Sequence, residues 1–226
     1  MARNFNGTSD RIEIVDHAAL TFGAVDYTFT LSLWMRRCDL SGGAPRFLLN
    51  NGYSWVAGST AVLVWGDDNP TFASRITFRF DADNGSYVEV VSNDVTTVDT
   101  WHHLAAVYDG STLRTYLDGV VQTATSTVSI TTVNSANPTQ LGRGHDGSGF
   151  FAGSLAEIAK WDCALLADKI AELATGVRAV DIGARPNWYL PLDGGWQEGI
   201  AGLELTNFGT SATEHPACIL TAGSIL

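Results

Sequence analysis

A chain of 226 residues can bury one sizeable core, and with 45% hydrophobic and only 16% charged residues it is too apolar for disorder. Its formal net charge of −11 repels a phosphate backbone, which sets DNA and RNA aside and leaves metal cations, neutral sugars or plain solubility as the use of the acidic surface. No stretch has the length and apolarity to cross a bilayer, so membrane insertion is not expected.

The start, "MARNFNGTSDRI", has no apolar run of signal-peptide length, and export by the usual route is not expected. Short strand patterns follow at "RIEIV" (11–15) and "YTFTLSLWMR" (27–36), then "RITFRF" (75–80), "YVEVV" (87–91), "HHLAAVY" (102–108) and "TLRTYL" (112–117). In "RITFRF" the apolar Ile76, Phe78 and Phe80 alternate with Arg75, Thr77 and Arg79, the pattern of a half-buried antiparallel strand. Asn84-Gly85, Asp109-Gly110 and Asp118-Gly119 stand between apolar runs, and such pairs are hairpin turns because both residues tolerate positive φ. The fold class is therefore all-β. The turn reading outweighs glycosylation at the sequons that begin at Asn6 and Asn84.

Between the second and third of these strands lies "NNGYSWVAGSTAVLVWGDDNP" (50–70). It joins Tyr53, Trp55 and Trp65 to Asp67, Asp68 and Asn69, the aromatic faces and hydrogen-bonding groups that a sugar site needs. The same residues also read as two core tryptophans followed by an ordinary turn. Further on, "GRGHDGSGFFAGSLAEIAKWD" (142–162) contains G-x-G-x-x-G, but it sits among hairpins and no helix starts after it, so it reads as a loop between strands and not as a nucleotide cradle. His145 and Asp146 in that loop can approach the 50–70 rim. Asp67, Asp68 and Asp146 are oxygen ligands of the kind Ca²⁺ prefers, and no other cofactor is expected. One helix is expected within "DCALLADKIAELATG" (162–176), with Asp162 capping it, Leu166, Ile170 and Leu173 on one face, and Gly176 ending it. "RPNWYLPLDGG" (185–195) is a further strand candidate. It opens a Gly-, Thr- and Ala-rich tail whose apolar end, "ACILTAGSIL" (217–226), either packs on the domain or docks elsewhere.

Tests for catalysis fail one by one. His102 and His103 are neighbours on a strand and point to opposite faces, so they cannot share a metal; one is expected to be packed and the other exposed. Glycoside hydrolysis needs two facing carboxylates, yet "YVEVV" offers only Glu89, and Glu157 and Asp162 are an odd number of residues apart. Cys38, Cys163 and Cys218 form no C-x-x-C pair and read as free buried thiols.

"RNFNGTSDRIEI", "FTLSLWMRR", "WHHLAAVYDGSTLRTYLDGV" and "LGRGHDGSGFFAGSLAEIAKWDCAL" resemble, in order and spacing, the laminin G-like group of the concanavalin A-like lectin/glucanase superfamily over residues 3–176. The resemblance implies a jelly-roll sandwich of two curved antiparallel sheets, with ligands at the rim or on the concave face. It implies a core role for Trp101 and a rim role for the 142–153 loop. Ala156 stands where members often carry an acidic residue associated with a structural Ca²⁺. The segment from Asn187 to Cys218 is similar to an extension on laminin G-like proteins of tailed phages, which points to a virion or other extracellular surface. The expected organisation is a jelly-roll domain over 1–184 and a C-terminal strand and extension over 185–226. The function expected is a non-catalytic lectin-like adhesion module that recognises a glycan or surface polymer. The alternatives are a particle-surface decoration protein that assembles as a homo-oligomer and, less in keeping with these residues, a polysaccharide-degrading enzyme.

Overall fold

The structure, a computed structural model, describes residues 2–23, 25–38, 45–52, 61–67, 75–92, 97–192 and 204–213, with side chains in 61–67 described at Val64 only. The strands are β1 (Ala2–Asn6), β2 (Arg11–Ile14), β3 (Phe29–Arg37), β4 (Arg46–Asn51), β5 (Ala61–Asp67), β6 (Arg75–Asp81), β7 (Tyr87–Val91), β8 (Trp101–Tyr108), β9 (Leu113–Leu117), β10 (Val120–Ser126), β11 (Thr139–Leu141), β12 (Ala152–Trp161), β13 (Trp188–Leu190), β14 (Leu205–Phe208) and β15 (Ser211–Thr213). A single α-helix among the described residues, α1 (Ala167–Ala174), follows β12. Two antiparallel sheets face each other in a concanavalin A-like jelly-roll sandwich. One runs β10-β9-β8-β3-β12-β1-β15, with β13 paired to β12, and the other runs β14-β2-β11-β4-β5-β6-β7.

Turn chemistry sets the hairpins. Asp118 and Gly119 both take positive φ, 50° and 79°, which matches the right-handed twist of β9 and β10 and closes that hairpin in the fewest residues. Asp109 Oδ1 accepts hydrogen bonds from the amides of Ser111 (3.0 Å) and Thr112 (2.8 Å), closing the β8–β9 turn. Alternation fills the space between the sheets. Phe29 and Tyr108 of the first sheet and Phe80 of the second meet with ring centroids 4.6 Å (Phe29–Phe80) and 5.4 Å (Phe29–Tyr108) apart. A second core lies on the outer face of the first sheet, where Ala105, Val107, Tyr116 and Trp161 pack under Leu165, Ile170 and Leu173.

Several expectations change here. The helix starts at Ala167 with Leu166 as its N-cap and no side-chain cap; Asp162 instead binds the buried Lys160. Leu166 is 71% exposed, and Leu165 takes its place in the core because the chain enters α1 from the β12 side. The polar face of β6 is not solvated: Thr77, Arg79 and Asp81 are all buried. Cys38 and Cys163 are exposed, not buried, while Cys218 lies outside the described residues. Trp101 is half-buried at the start of β8 and stays out of both cores. His102 and His103 do point apart, yet both are buried, because β8 is a central strand.

Candidate functional site

The loop between β11 and β12 is held at both ends by the backbone. Gly142 N–H donates to Leu48 O (3.1 Å), Phe151 N–H to Gly142 O (2.9 Å), and Phe47 N–H to Gly149 O (2.9 Å). Its glycines answer to packing. A Cβ on Gly142 would lie 2.3 Å from the Phe5 ring, and one on Gly149 would lie 2.6 Å from the Phe47 ring and 2.7 Å from Pro45 O. The G-x-G-x-x-G stretch is thus a turn docked on two phenylalanines and followed by a strand, with no helix N-terminus to hold a phosphate.

Asp146 Oδ1 accepts from Ser148 N (2.9 Å) and Ser148 Oγ (2.7 Å), and these bonds hold its carboxyl below the usual range. Burial, with the charge of Arg143 beside it, pushes the His145 imidazole down. From this rim a polar band crosses the outer face of the second sheet, where the register lines up Glu13, Gln140 and Asn50. Arg11 Nε lies 2.9 Å from Glu13 Oε1, and the Arg11 guanidinium sits 3.8 Å over the Phe208 ring.

Of the sequence-derived residues, His145 and Asp146 lie on this loop, and strand register fixes the backbone positions of Trp65 and Asp67. Phe47, on which the loop docks, is the register partner of Trp65, and Asp67 pairs with Arg75 on the next strand. Tyr53, Trp55, Asp68 and Asn69 lie outside the described residues, as do the side chains of Trp65 and Asp67. Among the described residues no three His, Cys, Asp or Glu side chains are grouped to hold a metal ion.

A second site, which sequence reasoning passed over, lies at the β7–β10 edge of the sandwich. Tyr87 opens β7 and is 49% exposed, and the Arg79 guanidinium lies 3.8 Å from its ring centroid. Arg79 is itself fixed from several sides. Its Nε donates to Asp81 Oδ1 (2.9 Å), its Nη2 lies 2.8 Å from the same oxygen, and its Nη1 donates to Glu89 Oε2 (3.2 Å). Burial alone would lower the Arg79 pKa, but Asp81 and Glu89 more than offset it and the guanidinium stays charged. Beside the ring runs an open groove of about 470 Å³, lined by Gly85, Ser86, Tyr87 and Glu89 from the second sheet's edge and by Ser126 and Val128 from the first. The sequence signal was the parity of "YVEVV": Val88 and Val90 face the core, so Tyr87 and Glu89 share the other face.

Two arrangements look catalytic and are structural. Ser32 Oγ is 2.8 Å from His103 Nε2, as a nucleophile and its base would be, but both residues are buried and burial pushes the His103 pKa down to about 4. Glu157 sits at a bulge in β12 with φ 50°, which breaks the strand parity used to separate it from Asp162, and its Oε2 accepts the Tyr189 hydroxyl at 2.6 Å. Burial and this carboxylate raise the Tyr189 pKa.

Comparison with known proteins agrees with this architecture. A model of the concanavalin A-like lectin/glucanases superfamily, of the laminin G type, matches residues 6–171. The native heptameric SAP-like pentraxin of Limulus polyphemus superposes with TM-score 0.64 at 12% identity, covering 97% of each chain. A Bacteroides ovatus protein assigned as carbohydrate binding gives 0.64 at 15% identity over 93% of this chain and 58% of its own. Domain 4 of a Geobacillus stearothermophilus extracellular arabinanase, in complex with arabinotriose, gives 0.54 at 20% identity over 76% of each. No curated protein matches in sequence. With most of its length matched by the family model and its two sheets built in the same way, the chain belongs to the laminin G-like group of the concanavalin A-like lectin/glucanase superfamily.

Proposed function

We propose that the protein is a non-catalytic, lectin-like binding module that contacts carbohydrate through the Tyr87 groove. The observation that carries this reading is a half-exposed tyrosine ring whose other face is fixed by a buried, doubly paired guanidinium. The apolar face of a sugar ring stacks on such a surface, and a platform already rigid loses little entropy on binding. Catalysis is disfavoured by the state of the carboxylates. Asp109, Asp118 and Asp146 are all held below their ordinary pKa, the opposite of a general acid, and Glu89 is paired with Arg79.

A glycan array that includes arabinotriose, run with wild type, Tyr87→Ala, Tyr87→Phe and Trp65→Ala, tests the reading. Binding kept by Tyr87→Phe and lost in Tyr87→Ala supports it. Binding lost only in Trp65→Ala moves the contact to the rim formed by Tyr53, Trp55, Trp65, Asn69 and His145. The same preparations should release no reducing ends from the bound polysaccharide. The described lining of the Tyr87 groove holds one carboxylate, Glu89, already paired with Arg79, so binding there is expected to survive EDTA; loss in EDTA with recovery on added calcium would return the ion to Asp67, Asp68 and Asp146.

Assembly is the second reading, favoured by the heptameric neighbour that matches nearly the whole chain. The particle-surface role and the docking of 217–226, a segment outside the described residues, belong to it. Light scattering of the full chain and of a chain ending at residue 216 tests it: an oligomer that falls to monomers on truncation supports assembly, and a monomer in both counts against it.

A further inference from the structure

We infer that the Tyr87 groove takes consecutive units from the interior of a neutral polysaccharide chain and rejects uronic-acid and sulfated glycans. This rests on the lectin reading of the same groove and adds the class of glycan. The first support is the charge that faces the ligand. None of the chain's 13 Lys and Arg residues lines the groove, and Arg79, stacked on the Tyr87 ring, is buried and donates hydrogen bonds to Asp81 and Glu89. What reaches the groove is the Glu89 carboxylate, one-third exposed, on a molecule of net charge −11. Recognition of a carboxylate or sulfate ester calls for a cation or a cluster of backbone amides, whereas a carboxylate accepts hydrogen bonds from neutral hydroxyls.

The second support is shape. The lining comes from Tyr87 and Glu89 on the edge of one sheet and from Ser126 at the end of β10 and Val128 just past it on the other, so the site is an open trough between the two sheet edges. Its volume of about 470 Å³ falls within the range of roughly 300–1,000 Å³ typical of ligand sites. A trough of this kind accepts a chain passing through, whereas a terminal sugar is ordinarily taken by a closed pocket. The Ser86 and Ser126 hydroxyls along its walls donate and accept, which suits hydroxyl-rich units.

Affinity electrophoresis in native gels tests this with the full chain. Hydroxyethylcellulose, galactomannan and linear arabinan serve as neutral polymers, and polygalacturonate and chondroitin sulfate as acidic ones. Retardation is expected in at least one neutral gel and in neither acidic gel. Tyr87→Ala should weaken it about tenfold or more while Tyr87→Phe retains it, with circular dichroism unchanged in both. Oligosaccharides of the retained polymer should compete better as they lengthen from two units to five. Tyr87-dependent retardation in an acidic gel would overturn the neutral class and leave the lectin reading standing. Full competition by the monosaccharide would overturn chain-interior binding. Retardation untouched by Tyr87→Ala would remove the groove, and no retardation in any gel would sink the lectin reading itself.

Discussion

His103 keeps a neutral imidazole in a central strand that offers it one polar partner, Ser32, and the tilted Trp34 ring with centroids 5.4 Å apart. Burial lowers its pKa from 6.5 to about 4, against the weaker opposing charge of Asp118. The folded-state value lies below the unfolded one, so the stabilisation is complete above pH 6.5 and is lost as the pH falls from 6.5 to about 4. That gap corresponds to about 3 kcal/mol. Urea midpoints at pH 7.5 and pH 4.5 should differ accordingly, and His103→Gln should flatten the difference; equal acid sensitivity in both proteins would remove His103 as the cause. The opposite facing of His102 and His103 could be read from strand parity. Their common burial could not, since it depends on which strands flank β8. Tyr87 was hidden for a related reason. Its sequence neighbours say only "strand", and the group that backs its ring is Arg79, eight residues away on the paired strand, whose partners Asp81 and Glu89 converge only once β6 and β7 are in register.

At the scale of elements, α1 and the β11–β12 loop are both held by what they press against. Ile170 is fully buried in the second core, so Ile170→Ala should cost about 2–4 kcal/mol. Leu166→Ala, at a position 71% exposed, should stay within about 0.5 kcal/mol. Chemical denaturation of the two variants checks the pair, and a larger effect at Leu166 would contradict the placement of the helix. Gly142→Ala combines positive φ with a clash on Phe5 and should lower stability by about 2–4 kcal/mol by the same measurement. Elements with local turn chemistry were legible: the Asp-Gly and Asn-Gly hairpins and the strands they join appear where the dipeptides put them. β12 was not, because "AGSLAEIAKW" has no β-branched run; it is a strand by virtue of pairing with β3 on one side and with β1 and β13 on the other. The short edge strands β14 and β15 were hidden for the same reason, since their ladders form with residues about two hundred positions earlier.

For the molecule as a whole, these two late strands decide how the sandwich is finished. β14 adds to β2 at the edge of the second sheet, and β15 adds to β1 at the same edge of the first. Between them Asn207 Oδ1 accepts from Thr210 N (3.0 Å) in a tight turn, and Gly209 passes against Asp10. One short segment therefore covers the first strand of each sheet. A chain ending at residue 203 should expose both edges, melt well below the full chain and aggregate, whereas a chain ending at residue 213 should melt within a few degrees of it. Differential scanning calorimetry separates the cases, and equal melting of the two truncations would show the strap to be dispensable. The strap also gives the molecule a front and a back. The Tyr87 groove opens between β7 and β10, while Thr213 lies beyond β1 at the far side, six strand spacings or roughly 29 Å away across the first sheet. A probe or surface coupled at Thr213 of a chain ending there sits on the side away from the Tyr87 groove, so a form immobilised through that residue leaves the groove open to solvent.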